Sequence, residues 1–130
     1  MNKNNIKITL GEIRKLVFDI CIKHGCDQAN ANALSNTITK AEEDGSSSHG
    51  LFRLPGYIAS LKSGKVNGKA APKLTNKTPV LLNCDADNGF ASMAHEVSLP
   101  LLADAAKVNG IATLSISGCY HFAALWPETE

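Results

Sequence analysis

The sequence predicts a mixed α+β fold in which helices come first and strands with one long helix follow. Apolar residues recur at helical spacing through the first half of the chain, and Gly25, Gly45 and Gly64 mark the ends of three helical patterns. Past residue 70 the period changes to short runs of strand-forming residues separated by turn residues. We therefore divide the chain into a helical segment, residues 1–66, and the first part of an α/β region, residues 67–130.

The first two helices follow from capping residues and apolar spacing. Thr9 and Glu12 form a capping box, in which the hydroxyl and the carboxylate satisfy free backbone amides at a helix start. The apolar stripe of this helix is Leu10, Ile13, Leu16, Val17 and Ile20. Asp27 can cap a second helix, whose small and shallow apolar face favours close packing against another helix. That face consists of Ala31, Leu34, Ile38 and Ala41.

The second helix ends in three acids, Glu42, Glu43 and Asp44. The helix macrodipole disfavours negative charge near a C-terminus. The placement therefore indicates either another partner for these acids, such as Arg53 or a neighbouring subunit, or an acidic helix end that water solvates. For Glu42 and Glu43 the solvated helix end is the favoured interpretation.

The remaining pattern predicts a third helix, a linker, a fourth helix and three strands. The third helix is expected over about 51–61, with a start just before Pro55 because proline suits a first helical turn. The turn-rich stretch 63–68 is interpreted as a linker. A long helix is expected over about 92–109, in which Pro100 should start a fresh turn or kink the axis. Strands are expected over 72–75, 79–83 and 111–116.

Composition and charge argue against several classes of function. A net charge of +1 gives no electrostatic reason to expect nucleic acid or a membrane surface as a partner, and aromatic residues make up only 5% of the chain. No apolar run approaches the roughly 20 residues that a membrane-spanning helix needs. The polar N-terminus lacks the apolar centre of a secretion signal. We therefore expect a cytoplasmic protein.

The cysteines do not indicate a metal site. In a cytoplasmic protein the four cysteines would stay reduced. Cys21, His24 and Cys26 have the types of side chain that bind zinc, but no second ligand pair follows at zinc-site spacing. We expect no bound metal.

The residues best suited to chemistry are Ser48, His49 and Arg53, between the second and third helices. An imidazole exchanges a proton near neutral pH, and an arginine can hold a carboxylate with two parallel hydrogen bonds. If a helix begins near Gly50, His49 and Arg53 lie about one turn apart and can face one small organic acid. The alternative is that Ser48 caps the following helix, His49 is an ordinary loop histidine and Arg53 is a surface charge.

Residues 44–57, Asp-Gly-Ser-Ser-Ser-His-Gly-Leu-Phe-Arg-Leu-Pro-Gly-Tyr, resemble the signature of the malate/L-lactate dehydrogenase family. This family comprises NAD(P)H-dependent reductases without a Rossmann fold. The segments 61–66 and 121–127 resemble the same family, and are most similar to its Δ1-piperideine-2-carboxylate/Δ1-pyrroline-2-carboxylate reductase branch. Family members are much longer, so the resemblance implies an N-terminal fragment whose second region begins a mainly β-sheet cofactor-binding domain.

The resemblance also implies residue roles. Hydride would pass from reduced nicotinamide to C2 of a cyclic 2-imino acid or 2-oxo acid, with His49 as proton donor and Ser48 as the group that relays or orients the proton. Arg53 would bind the substrate carboxylate. An acidic partner of Ser48 and His49 is expected beyond residue 130, so the fragment alone is expected to be inactive. The cofactor-binding candidates are His121, Phe122, Ala123, Ala124 and Leu125.

The cofactor and assembly are further expectations from the resemblance. NADPH suits the reductase branch, with NADH as the alternative, and a homodimer is expected for the full-length protein. Two other interpretations stay open. One is a 2-hydroxy-acid or 2-oxo-acid dehydrogenase of the same family, acting on malate, lactate or ureidoglycolate. The other is an inactive helical interaction module.

Overall fold

Helices and a three-stranded sheet make up residues 6–121, the part of the chain described by a computed structural model. The helices are α1 (Leu10–Lys23), α2 (Gln28–Glu43), α3 (Leu54–Lys62) and α4 (Ala91–Asn109). A short 3₁₀ helix over Leu51–Arg53 precedes α3. The strands are β1 (Lys73–Thr78), β2 (Leu81–Asp85) and β3 (Thr113–Ser117). This architecture confirms the predicted mixed α+β class.

The caps predicted for the first two helices are confirmed. The Glu12 N–H donates to Thr9 Oγ1 at 3.2 Å, and the Thr9 N–H donates to Glu12 Oε2 at 2.8 Å. At the start of α2 the Asn30 N–H donates to Asp27 Oδ1 at 2.9 Å. Hydrogen bonds from the Thr9 backbone and hydroxyl lower the pKa of Glu12, because they stabilise the carboxylate.

A hydrophobic cluster joins the first three helices to the start of α4. Its centre is the pair Tyr57 and Phe90, which are 2% and 1% exposed. The two rings meet edge to face, with centroids 5.0 Å apart and an interplanar angle of 84°. Burial raises the pKa of Tyr57 to about 12, against a smaller opposing effect of the Arg53 charge. From α1 and α2 the cluster takes Ile13, Val17, Cys21, Ala31, Leu34 and Ile38.

The predicted linker follows α3 and contains no helix or strand, yet this part of the chain packs closely against the start of α2. The Asp27 N–H donates to the Gly68 carbonyl at 3.0 Å, and Asn30 Nδ2 donates to the Ala70 carbonyl at 3.0 Å. A Cβ added to Gly68 would lie only 2.8 Å from the Gly25 carbonyl oxygen, so the two backbones meet where only glycine fits. The division of the chain at residues 66 and 67 stays a prediction.

The sheet has the order β1-β2-β3, with β1 antiparallel and β3 parallel to β2. Helix α4 forms the crossover that a parallel pair requires. One face of the sheet packs on α4 through Cys84 and Ala94, with Leu114 and Ile116 of β3 partly buried beside them. The three predicted strands are therefore confirmed, although β1 continues to Thr78 and both β2 and β3 begin two positions later than expected.

Two details of the predicted helices need correction. The expected helix over 51–61 is two elements, because the 3₁₀ turn over Leu51–Arg53 precedes α3, and Pro55 lies in the first turn of α3. Helix α4 runs through Pro100, so the expected fresh start there is wrong, while the alternative, a kink of the helix axis at Pro100, stays a prediction. Pro100 and Glu96 are both exposed, so water can hydrogen-bond to the Glu96 carbonyl that lacks a helical donor.

All four cysteines are free thiols, and three of them are buried. A hydrogen bond between Cys21 and Cys26 raises the pKa of Cys21 and lowers that of Cys26. Burial raises the pKa of Cys84. Cys119 is half-buried. Cys119 is therefore more accessible to reagents than the three buried cysteines.

We expect Phe90→Ala to lower the free energy of unfolding by about 3–5 kcal/mol, because it opens a cavity beside Tyr57. Urea denaturation of this chain measures the change. Phe52→Ala is the matched control: Phe52 is 76% exposed, and its loss should change the free energy of unfolding by no more than about 0.5 kcal/mol. Equal losses for the two variants would contradict the assigned core.

We expect iodoacetamide to alkylate Cys119 at least about tenfold faster than Cys21 or Cys84 near pH 8, since the thiolate is the reactive form and both buried thiols have raised pKa values. Labelling of Cys21 and Cys84 should rise only at higher pH. Peptide mass spectrometry over time measures the rate at each cysteine, and Cys119→Ser should leave the slow labelling of Cys21 and Cys84 unchanged. Fast labelling of Cys21 in the folded chain would contradict the assignment.

Candidate active site

The candidate catalytic pair lies on a tight loop between α2 and the 3₁₀ helix. Gly45 adopts a positive φ of 71°, which turns the chain away from α2. The Ser46 N–H then donates to the Ala41 carbonyl at 2.8 Å. The Ser46 carbonyl in turn accepts from the His49 N–H at 2.9 Å and from the Gly50 N–H at 3.2 Å. Backbone hydrogen bonds on both sides of Ser46 therefore shape this loop.

The structure brings Ser48 and His49 into hydrogen-bond contact. His49 Nδ1 lies 2.9 Å from Ser48 Oγ and 3.3 Å from Ser46 Oγ. Either hydroxyl can donate to an unprotonated Nδ1, and the ring proton then lies on Nε2. The imidazole is half-buried, whereas Ser48 is exposed. The arrangement can orient the imidazole and set its tautomer.

Arg53 contacts the same loop from the 3₁₀ helix. Its Nε donates to the Ser48 carbonyl at 2.9 Å, and its backbone N–H donates to the Gly50 carbonyl at 3.0 Å. Ser48 thus contacts His49 through its hydroxyl and Arg53 through its carbonyl. A guanidinium bound in this way still has two terminal nitrogens with which it can recognise a carboxylate.

The interpretation of Ser48 as a helix cap is wrong. The 3₁₀ helix begins after Gly50 and α3 begins after Arg53, and in neither does the side chain of the N-cap residue bond to the helix start. Because its hydroxyl contacts the imidazole, Ser48 does not serve the helix start.

Sequence reasoning missed the role of Glu42 in this loop. The solvated helix end predicted for it is wrong, because Glu42 Oε1 accepts from the Leu51 N–H at 2.7 Å. The other two acids pair with Lys40, at 3.5 Å from Glu43 and 3.2 Å from Asp44. The unfavourable position of Glu42 against the dipole of α2 was the one feature of the sequence that pointed to a partner.

The second predicted segment begins at His121, where the described part of the chain ends. Phe122, Ala123, Ala124 and Leu125 lie outside the described residues. The exposed His121 ring lies beside His95 of α4, with centroids 5.8 Å apart and an interplanar angle of 69°.

Backbone bonds join the approach to His121 to the start of α4. The Tyr120 N–H donates to the Gly89 carbonyl and the Ala91 N–H donates to the Tyr120 carbonyl, both at 2.9 Å. Phe90, between these two bonds, contacts Tyr57 of α3. The Tyr57–Phe90 pair therefore connects the element that follows Arg53 with the strand end that leads to His121.

A hollow of about 470 Å³ lies beside Leu51, the first residue of the 3₁₀ helix after the loop. Its lining is mainly apolar and consists of Ile20, Leu51, Leu54, Pro55, Ile58, Ala59 and Lys62. His49 and Arg53 are not part of that lining. The shared ligand that these two side chains are expected to face stays a prediction.

Within residues 6–121, no group of three histidine, cysteine or acidic side chains could hold a metal ion. Cys21 and Cys26 instead lie in the hydrophobic cluster. In the same range, none of the helices combines the length and the apolar character that a membrane crossing requires.

Comparison with known sequences confirms the resemblance to the malate/L-lactate dehydrogenase family. The family model of malate/L-lactate dehydrogenase matches residues 8–130. Over 125 residues the chain is 45% identical to Delta(1)-pyrroline-2-carboxylate reductase of Ancylobacter novellus. The matched residues are 96% of this chain and 37% of that protein. The chain is 42% identical to Delta(1)-pyrroline-2-carboxylate/Delta(1)-piperideine-2-carboxylate reductase of Pseudomonas aeruginosa, and this match also covers 96% of the chain and 37% of the relative.

A solved structure shares the fold described above. The crystal structure of delta1-piperideine-2-carboxylate reductase from Pseudomonas syringae matches with a TM-score of 0.93 at 40% identity, over 97% of this chain and 38% of that one. The chain thus spans about 37% of the length of the curated relatives it matches. Because the family model covers nearly every residue, the chain belongs to the malate/L-lactate dehydrogenase family.

Proposed function

We propose that the complete protein is an NAD(P)H-dependent reductase of cyclic 2-imino acids of the Δ1-pyrroline-2-carboxylate and Δ1-piperideine-2-carboxylate type. The observation that carries the proposal is the 2.9 Å contact between Ser48 Oγ and His49 Nδ1, with Arg53 bound to the same serine. The names of relatives at 45% and 42% identity support the substrate class.

In this proposal Arg53 binds the substrate carboxylate through its terminal guanidinium nitrogens. Its Nε remains on the Ser48 carbonyl, so the fork is held relative to the imidazole. A fixed carboxylate fixes the adjacent C2, and orientation of this kind can lower a barrier by about 7–11 kcal/mol when both partners are well placed. A bound reduced nicotinamide supplies the hydride that C2 accepts.

His49 donates the proton that the substrate nitrogen needs. Hydride adds to C2 and the proton adds to nitrogen, so the C=N double bond becomes a CH–NH single bond. As proton donor the ring is an imidazolium: Nδ1–H donates to Ser48 Oγ, the Nε2 proton passes to the substrate nitrogen, and the imidazole is left neutral. General acid catalysis of this type contributes about 10²–10⁴-fold in rate. We further propose that an acid beyond residue 130 completes the pair.

The cofactor is proposed to lie against His121, Phe122, Ala123, Ala124 and Leu125. Of these residues only His121 is described, and its exposed imidazole can donate or accept a hydrogen bond with an amide or a phosphate. The positive φ of 62° at Gly118 turns the chain after β3 towards this residue. We propose NADPH, with NADH as the alternative, and a homodimer as the assembly of the full-length protein.

A 2-hydroxy-acid or 2-oxo-acid dehydrogenase of the same family is the alternative. It would use the same imidazole and guanidinium, with a substrate oxygen in place of the nitrogen. The names of the relatives favour the imine substrate. The interaction-module interpretation predicts no turnover at all, so measured activity separates it from both.

In the complete protein we expect His49→Ala to lower kcat by about 10²–10⁴-fold, because the proton donor is lost. Ser48→Ala should cost less, since Ser46 Oγ at 3.3 Å can still contact Nδ1. Ser47→Ala, on the exposed side of the same loop, is the matched control and should leave kcat unchanged. Loss of reduced-nicotinamide absorbance measures turnover. Full activity of His49→Ala would refute the role of the imidazole.

The substrate class is tested with cyclic imino acids against pyruvate and oxaloacetate. We expect kcat/KM for the imino acids to be at least about tenfold higher than for either oxo acid, which corresponds to about 1.4 kcal/mol of preferential transition-state binding. Arg53→Lys should raise KM for every acid that is a substrate, because lysine cannot form the two parallel hydrogen bonds. A preference for an oxo acid would favour the alternative function.

A further inference from the structure

The N-terminal end of the 3₁₀ helix receives its acceptor from the preceding helix. The first N–H groups of a helix need acceptors that the helix itself cannot provide. Gly50, at the N-cap position, has no side chain to offer. The Leu51 N–H instead donates to Glu42 Oε1 at 2.7 Å, across nine positions of the chain. A carboxylate is well suited to this position, because it also meets the positive end of the helix dipole.

The Glu42 side chain also lies directly against the backbone of Gly50. A Cβ added to Gly50 would lie 2.5 Å from Glu42 Cδ and 2.8 Å from Cγ, so an alanine there would displace the carboxyl group. Gly50 is buried. The Glu42 side chain therefore holds the peptide between Gly50 and Leu51 by contact as well as by the hydrogen bond.

This peptide lies between the two groups of the proposed mechanism. His49 precedes it directly, and the Arg53 N–H donates to the Gly50 carbonyl at 3.0 Å. Arg53 Nε reaches back to the Ser48 carbonyl at 2.9 Å. A shift of the Gly50–Leu51 peptide would therefore move the imidazole and the guanidinium relative to each other.

We propose that Glu42 is a positioning residue of this site, which sets the distance between His49 and Arg53 through the Gly50–Leu51 peptide. The inference rests on the proposed function. Glu42 acts through the backbone that carries both side chains. Its neighbours Glu43 and Asp44 form ion pairs with Lys40 of α2.

Three variants of the full-length protein test the proposal. Glu42→Ala removes the acceptor and should lower kcat/KM for a cyclic imino acid by about 10- to 100-fold, the cost of a misplaced reacting group. Glu42→Gln keeps an oxygen that can accept from the Leu51 N–H and should restore kcat/KM to within about threefold of the wild type. Glu43→Ala, one position along the same helix, is the matched control and should leave it unchanged.

Binding of the reduced nicotinamide separates positioning from general damage. Fluorescence titration of NADPH without substrate should give the same Kd for Glu42→Ala as for the wild type, because the proposed cofactor segment begins at His121. An unchanged Kd with a reduced kcat/KM supports the proposal. A Kd that weakens in parallel with kcat/KM would overturn it in favour of a purely structural role.

Other outcomes are equally decisive. Unchanged kcat/KM in Glu42→Ala, together with an impaired His49→Ala, would overturn this inference and leave the proposed function intact. Unchanged turnover in His49→Ala would overturn the proposed function itself. Equal impairment of Glu42→Gln and Glu42→Ala would also refute the inference. If Glu42→Ala does not fold, Gly50→Ala decides: it should displace the carboxyl group and lower kcat/KM, and full activity would reject the proposal.

Discussion

The edge-to-face contact between Tyr57 and Phe90 holds the helical part of the chain against the sheet. Tyr57 lies on α3, the helix that follows Arg53, while Phe90 is flanked by backbone bonds to Tyr120. Both rings are almost completely buried, so neither can move without opening a cavity. The candidate acid-binding loop leads into α3, which carries Tyr57, and the segment that starts at His121 follows Tyr120, which bonds to both neighbours of Phe90, so this pair is one contact that connects them.

The loop is held by opposed helix ends. Glu42 is unfavourable at the C-terminus of α2 and favourable at the N-terminus of the next helix, so the two dipoles together define where its carboxylate is stable. Ser46 adds a carbonyl that accepts twice and a hydroxyl near the imidazole. These polar groups therefore form hydrogen bonds within the loop, and backbone hydrogen bonds hold the segment that carries His49.

Local features could be predicted from the sequence, and non-local ones could not. The caps at Thr9 and Asp27, the buried face of α2 and the turn at Gly110 each depend on residues a few positions apart. The adjacency of Ser48 and His49 was equally readable, although their roles came from a family resemblance. The bond from Leu51 to Glu42, the 3₁₀ form of the turn and the parallel pairing of β2 with β3 depend on distant partners, for which the sequence offers no short-range pattern.

The parallel pair joins strands that lie far apart along the chain. The 19 residues of α4 separate β2 from β3 along the chain, whereas the α1–α2 pair and the loop after it close over shorter stretches. Contacts of high sequence separation are the slow ones to form. The hydrogen bonds described above that shape the turn presenting His49 all join residues between Ala41 and Arg53, so none of them needs a partner in β3.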